Sequence, residues 1–278
     1  LINDFGTVVV MIGIWRMFPT MLVAKPFVPR DSANDRECQL SKALRRDGFV
    51  VIPKALPRAV CAAVRDDLER ELGEKDPEGG EQGRLNIPLS SSHSAFRSVA
   101  QIVNAKAPFF LACFGGRGQL RTLGALVSLP NAARQDIHCD TDWVPDTLFC
   151  TAFVALQDVP LEMGPTVLYA GTHTKLFHAA KREYTARAGP QAHVVPGEDP
   201  LCGRPQATML LDAGDMVVFD TRVFHQGTEN TTHTRRMLLC FSFLAEASDP
   251  RNVPGYFQFF GTADIRKGQF LVRDFIPP

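Results

Sequence analysis

Apolar and polar positions alternate in two different rhythms along the chain. Residues 58–72, RAVCAAVRDDLEREL, follow Pro57 and place Val60, Val64, Leu68 and Leu72 four apart, which predicts an amphipathic helix with one buried stripe. Ahead of it, SKALRRDGFVVIPKAL reads as a short helix, then Gly48, then the apolar strand FVVIP. GEKDPEGGEQG (73–83) is loop by composition, and another helix is predicted from about Ser94 to Ala112. From residue 123 onward the rhythm shortens. LGALVSL, LFCTAFVAL, TVLYA, ATMLL, DMVVFD and RMLLCFSFL are β-rich runs separated by Pro, Gly, Asn and Asp. Many short strands with few helices between them predict a mainly β fold, an antiparallel sandwich or jelly roll with the earlier helices packed on one sheet. Two insertions, about 174–196 and 197–206, interrupt the series and are expected as loops at the mouth of the barrel.

These patterns divide the chain into an N-terminal extension (1–37) and a single domain (38–278). Within the domain we expect a helical part at 38–115, a jelly-roll core at about 120–245 and a C-terminal segment at 246–278. Composition changes this picture little. Apolar residues make up 45% of the 278, enough for a full core. The 30 Lys and Arg balance the 30 Asp and Glu, so no net field recruits nucleic acid or an anionic membrane. Seven cysteines include no C-x-x-C pair, which fits reduced thiols in an intracellular, cytoplasmic setting rather than a zinc ribbon. The run VVVMIGI (8–14), flanked by Asp4 and Arg16, falls short of the ~20 apolar residues of a membrane span and reads as a buried strand or helix turn, or the remnant of a signal segment. The chain opens on Leu1, which suggests a fragment or processed product and leaves organellar targeting open.

Three separated stretches carry candidate chemistry. In QDIHCDTDW (135–143), strand geometry would project His138 and Asp140 to one side and Cys139 to the other, as two metal ligands require. Alone, the same pattern also describes a solvated strand face. In AGDMVVFDTRVFHQGTEN (213–230), a Gly-Asp turn leads into a buried strand, and His225 arrives where strand passes into loop, as a third ligand or as a hydrogen-bonded turn histidine. In THTRRMLLCFSFL (232–244), Arg236, Leu238, Cys240 and Ser242 share one face, and Arg235, Met237, Leu239, Phe241 and Phe243 share the other. One of the two arginines must then point inward, where a guanidinium requires an anion, most naturally a carboxylate bound through two hydrogen bonds. Two histidines and a carboxylate on one face of Fe(II) leave three positions for a chelating 2-oxo acid and dioxygen.

The ordered set Gln135, His138 and Asp140 (Q-x-x-H-x-D), FVALQDV (153–159), MGPTVLYAGTH (163–173), GDMVVFDTRVFH (214–225), Asn230 and Arg236 resembles the phytanoyl-CoA dioxygenase family of Fe(II)/2-oxoglutarate-dependent oxygenases over roughly residues 40–245. The resemblance implies a double-stranded β-helix of the cupin type, with His138, Asp140 and His225 on iron and Arg236 on the distal carboxylate of 2-oxoglutarate. It also implies a small organic or acyl substrate, dioxygen as co-substrate, and release of succinate and CO2. Where relatives often carry a hydroxyl residue two positions after the distal histidine, this chain has Gly227, with Thr228 next as the candidate cosubstrate contact. Phe153 stands where some members have tryptophan beside the cosubstrate, and Gln135 joins the same group. Asp140 is retained, so the halide-binding variation of related halogenases is not implied.

Other polar residues draw structural readings. Asp142 shares the predicted His138/Asp140 face, His173 sits in a turn, and His93, His178, His193 and His233 fall in surface contexts. Arg222 suits holding a neighbouring carboxylate, and Trp143 a place in the core or at the mouth. Lys175, Lys181, Arg182 and Arg187 would form either a phosphate-binding patch or a solvated face. A cupin-like binder without turnover is the competing function. A zinc or manganese hydrolase built on the same three ligands would leave Arg236 without a role.

Overall fold

The computed structural model describes residues 33–73, 83–188, 198–252 and 261–277. The 8–14 run, most of the N-terminal extension and His193 lie outside them. Among the described residues no helix is long and apolar enough to cross a membrane.

Helix α1 (Ala33–Asp47) ends at Gly48, whose φ of +86° turns the chain directly into strand β1 (Phe49–Ile52). Helix α2 (Arg58–Leu72) has the bounds the apolar stripe predicts. Its buried residues are Cys61, Val64 and Leu68, with Val60 and Leu72 at the margin of the core. Strand β2 (Arg84–Pro88) follows. The single helix expected over 94–112 is instead two, α3 (Ser94–Ala105) and α4 (Ala107–Phe114). Lys106 between them is non-helical (φ −119°, ψ 28°), and Pro108, which would break a helix interior, falls in the first turn of α4.

The remaining strands are β3 (Gln119–Ser128), β4 (Phe149–Ala155), β5 (Thr166–Tyr169), β6 (Gln206–Thr208), β7 (Met216–Asp220), β8 (His225–Gly227) and β9 (Arg236–Leu244). The first insertion is helical rather than loop. Helix α5 (Lys175–Ala188) forms because Phe177 and Tyr184, two turns apart, give it a buried face. A short helix α6 (Ala263–Arg266) lies near the C-terminus.

The strands make two antiparallel sheets, a six-stranded one in the order β1-β7-β4-β9-β3-β2 and a three-stranded one in the order β6-β5-β8. Central strand β9 is buried along its whole length because both of its faces are covered. Met237, Leu239, Phe241 and Phe243 pack on the helices, among Leu68, Ile102 and Phe110. Leu238 and Cys240 face the small sheet with Phe153, Val217, Phe219 and Leu168. The predicted division of β9 into two faces therefore holds, and Arg236 points into the space between the sheets.

Segment 135–143 is not a strand. It makes one bridge, in which His138 N donates to His225 O (2.9 Å) and His225 N to His138 O (2.7 Å). His225 is in turn the first residue of β8 rather than a loop residue. Gln135 N to Gly227 O (2.9 Å) and Thr141 N to Thr221 O (3.0 Å) hold the rest of the segment along the mouth.

Candidate metal centre

The bridge sets two imidazoles side by side, with ring centroids 4.4 Å apart. Each Nδ1 lies against a carbonyl two residues upstream, His138 on Asp136 O (2.8 Å) and His225 on Val223 O (2.9 Å). A carbonyl only accepts, so each Nδ1 carries the proton and each Nε2 presents a lone pair, as metal ligation requires. Asp140 Oδ1 stands 4.0 Å from His138 Nε2 and 3.7 Å from His225 Nε2, and the ligating atoms of all three lie within 4.8 Å of one another. Bonds of about 2.0–2.2 Å at right angles would place neighbouring donors about 3 Å apart, a gap that small side-chain rotations close. Burial drives the His225 pKa down, against the opposing pull of Asp140; the ring is thereby kept in its neutral, ligating form. Phe219 backs the His225 ring at 5.1 Å, whereas His138 is 40% exposed and opens the site to solvent.

Behind the triad a cavity of about 190 Å³ runs between the sheets. Phe153 forms an apolar wall, edge-on to Phe219 at 5.1 Å. Gln135 reaches the same space, its Oε1 accepting from Gly227 N at 3.0 Å. A hydroxyl chain whose two threonines were not foreseen from the sequence lines the same face of the large sheet as Phe153, with Thr122 Oγ1 2.7 Å and Thr151 Oγ1 2.9 Å from Ser242 Oγ.

At the far end sits Arg236, 1% exposed. Its Nη1 donates to Gly164 O, and its buried Nε has no partner. Among the described residues no carboxylate pairs with it. Burial, and then the charge of Arg84, push its pKa down to about 9. Thr228 is not brought to the cavity. Its hydroxyl donates to Pro165 O (2.9 Å), and it lines a separate groove on the outer face of the small sheet. Asn230 is structural, its Nδ2 reaching Leu129 O (3.1 Å) and Thr234 O (2.9 Å).

The phytanoyl-CoA dioxygenase (PhyH) family profile matches residues 44–238. The chain belongs to that family. Membership makes it an Fe(II)/2-oxoglutarate-dependent enzyme, and the two facing sheets are the family's double-stranded β-helix. Among solved structures, this PhyH protein is similar to the non-haem α-ketoglutarate-dependent epimerase SnoN from nogalamycin biosynthesis (22% identity, 80% of this chain and 88% of that one, TM-score 0.59). It is also similar to HygX from Streptomyces hygroscopicus, solved with nickel and 2-oxoglutarate bound (19% identity, 75% and 87%, TM-score 0.55), and to the non-haem monooxygenase ThoJ in its nickel complex (21%, 76% and 78%, TM-score 0.53). A search of curated proteins returns no significant match.

The readings of other polar residues in this PhyH chain hold for Arg222 and His233 and change for Asp142 and His178. Asp142 turns away from the triad to join Cys139 and His178, whose ligand-type atoms also lie within 4.8 Å of one another. Burial and the charges of Asp142 and Asp140 push the Cys139 thiol up to about 12. His178 is not a surface residue. α5 folds it inward, and its Nε2 lies 2.9 Å from Arg222 O. His93 caps α3 and meets Glu71 Oε1 at 3.1 Å, whereas His233 is exposed. Arg222 grips Asp220 through Nε (2.8 Å) and Nη2 (2.5 Å). Lys175 lies over Trp143, 5.3 Å from the ring centre, and Lys181 pairs with Asp199 at 2.6 Å. Two members of the basic run are therefore engaged within the protein.

Burial lowers the His178 pKa. The charges of Arg182 and Arg222 act in the same sense, opposed by the Arg222 carbonyl and Asp142. The unfolded chain then takes up a proton near the ordinary value of ~6.5 while the folded chain stays neutral, so stability falls as pH drops below that value. With chelator present, we expect the melting temperature to fall between pH 7.5 and 5, and to fall less steeply in His178→Gln. Equal slopes would show that His178 does not drive the acid sensitivity.

Proposed function

We propose that His138, Asp140 and His225 hold Fe(II), that Arg236 holds the distal carboxylate of 2-oxoglutarate, and that the enzyme hydroxylates a small organic or acyl-type substrate. One observation carries this reading. Two Nε2 lone pairs and a carboxylate converge at one end of a cavity whose other end is a buried guanidinium with which no carboxylate of the described residues pairs. The donor set suits Fe(II), and the orphaned Arg236 Nε suits a carboxylate.

Bound iron would supply the means to activate dioxygen, the oxidant, with 2-oxoglutarate as the two-electron reductant, so that one oxygen atom ends in succinate as CO2 is released and the other in a substrate C–H bond. The protein's part is orientation and dryness. The carbonyls of Asp136 and Val223 keep both imidazoles in the ligating tautomer. Arg236 fixes the length of acid the cavity accepts, and Phe153 and Phe219 exclude water from one side. Substrate approaches from the His138 side, the exposed flank of the triad.

The test is succinate formation from 2-oxoglutarate by the Fe(II)-loaded protein, across acyl-CoA, free-acid and amino-acid libraries. We expect slow uncoupled turnover without substrate, stimulated by one substrate class. Complete absence of turnover with every library, despite metal and 2-oxoglutarate binding, would favour a non-catalytic binder.

A further inference from the structure

We propose a second metal site, distinct from the triad, in which Cys139, Asp142 and His178 hold a divalent cation of the zinc type and so clasp helix α5 to the segment that carries His138 and Asp140. The site uses none of the proposed iron ligands and stands or falls apart from the reaction proposed above.

The segment at the mouth and helix α5 supply the three side chains together. The chain bends at 140–141, and Thr141 pins the bend to Thr221, its N–H donating to the carbonyl (3.0 Å) and its hydroxyl lying 2.8 Å from Thr221 Oγ1. Cys139 packs with Val167, Tyr169, Phe177 and Phe224, whereas Leu168 packs with the residues between the sheets. Successive residues of a strand face opposite ways, so the thiol lies on the outer face of β5 and the triad on the inner one. Asp142 and His178 join Cys139 there, and one donor atom from each lies within 4.8 Å of the others. Donors on a tetrahedral ion with bonds of about 2.0–2.3 Å stand about 3.3–3.8 Å apart, which small side-chain rotations provide.

His178 is the observation that points to a ligand. It is 2% exposed, and its Nε2 lies 2.9 Å from Arg222 O. A carbonyl only accepts, so Nε2 carries the proton and Nδ1 keeps the lone pair that a metal takes. The carbonyls of Asp136 and Val223 prepare the triad imidazoles in the same way, with the two ring nitrogens exchanged. Arg222 is itself held, because its N–H, Nε and Nη2 all donate to the Asp220 carboxylate, which also neutralises the guanidinium. Phe224 lies against the His178 ring at 5.4 Å.

The donor set selects the metal. Thiolate, imidazole and carboxylate together suit zinc, whereas magnesium and calcium take oxygen ligands. On binding, the Cys139 proton leaves to solvent as the sulfur–metal bond forms, and thiolate and carboxylate then balance the divalent charge. Three protein ligands leave a fourth position for water, and exposed Asp142 marks the side from which the ion enters. Because Cys139 stands between His138 and Asp140 in the chain, an ion here braces the stretch from which two iron ligands project.

Cobalt(II) is the probe, since a thiolate ligand gives it a near-ultraviolet charge-transfer band that the sulfur-free triad cannot give. The full chain is titrated with cobalt(II) under anaerobic conditions and then with zinc(II). We expect wild type and Asp140→Ala to develop the band with a single equivalent, zinc(II) to bleach it, and Cys139→Ser to lack it. The cobalt affinity read from the band should fall at least about a hundredfold in His178→Gln and about tenfold in Asp142→Ala. Asp142 is exposed, so the second variant tests the site even where loss of the buried histidine harms the fold. Zinc(II) should raise the melting temperature of Asp140→Ala and leave that of Asp140→Ala/Cys139→Ser unchanged. Absence of the band in wild type, its persistence in Cys139→Ser, its loss in Asp140→Ala, or an unchanged affinity in Asp142→Ala would each overturn the inference.

Discussion

Asp140→Ala abolishes both the visible charge-transfer band of the anaerobic Fe(II)–2-oxoglutarate complex and succinate formation, with turnover falling by at least about a thousandfold; this is the largest effect we expect. The magnitude follows from what a carboxylate ligand supplies. It neutralises part of the metal's charge and fixes the third direction of a facial set, and a metal centre contributes several kcal/mol of stabilisation to its reaction. The fold should not suffer. The Asp140 side chain is 22% exposed and its near neighbours are the two imidazoles, so the metal-free variant should melt with wild type. An unchanged spectrum in the variant would remove Asp140 from the ligand set.

Arg236→Met separates function from stability, with opposite signs. The guanidinium is buried, no carboxylate of the described residues pairs with it, and a second positive charge lies beside it. Replacing such a charge with an apolar side chain of similar length is neutral or stabilising by about 1–4 kcal/mol, less the hydrogen bond that Gly164 O loses. The metal-free variant should therefore melt at or above the wild-type temperature. Its affinity for 2-oxoglutarate should drop by about a hundredfold or more, because truncating one partner of a buried charge pair strands the other. Calorimetry and thermal melts on the same preparation check both halves. A large fall in melting temperature would show that Arg236 serves the fold.

The sequence revealed those features whose causes are local. The stripe on α2 lies within fifteen residues of one helix, and the alternation of β9 within nine residues of one strand. The two sides of β9 could be told apart because its inward set includes Arg236 and Ser242, whereas the outward set is apolar beyond Arg235. What escaped was set by distant partners. β2, RLNIP, is short, follows a loop-like run and ends in proline, and only its pairing with β3 turns Arg84 into the cavity. β8 is three residues without an aliphatic side chain, ordered by its neighbours β5 and 138. The strand expected at 135–143 needed a continuous partner and found a single bridge, which is why Asp142 lies off the triad's face. His178 looked solvent-facing because the packing of α5 onto Phe224 brings together residues far apart in the chain.

The reciprocal amide bonds between residues 138 and 225 constrain how this enzyme can change its choice of substrate. One gatepost of the entrance is stitched, through its own main chain, to the strand that carries the other imidazole. Widening the doorway there would pull apart the two imidazoles proposed to hold the iron. Room for a bulkier guest must come from cavity walls outside that bridge, such as Asn86 and Leu126, paired across β2 and β3. Exchanges at those two positions can retune selectivity while the chemistry stays in register.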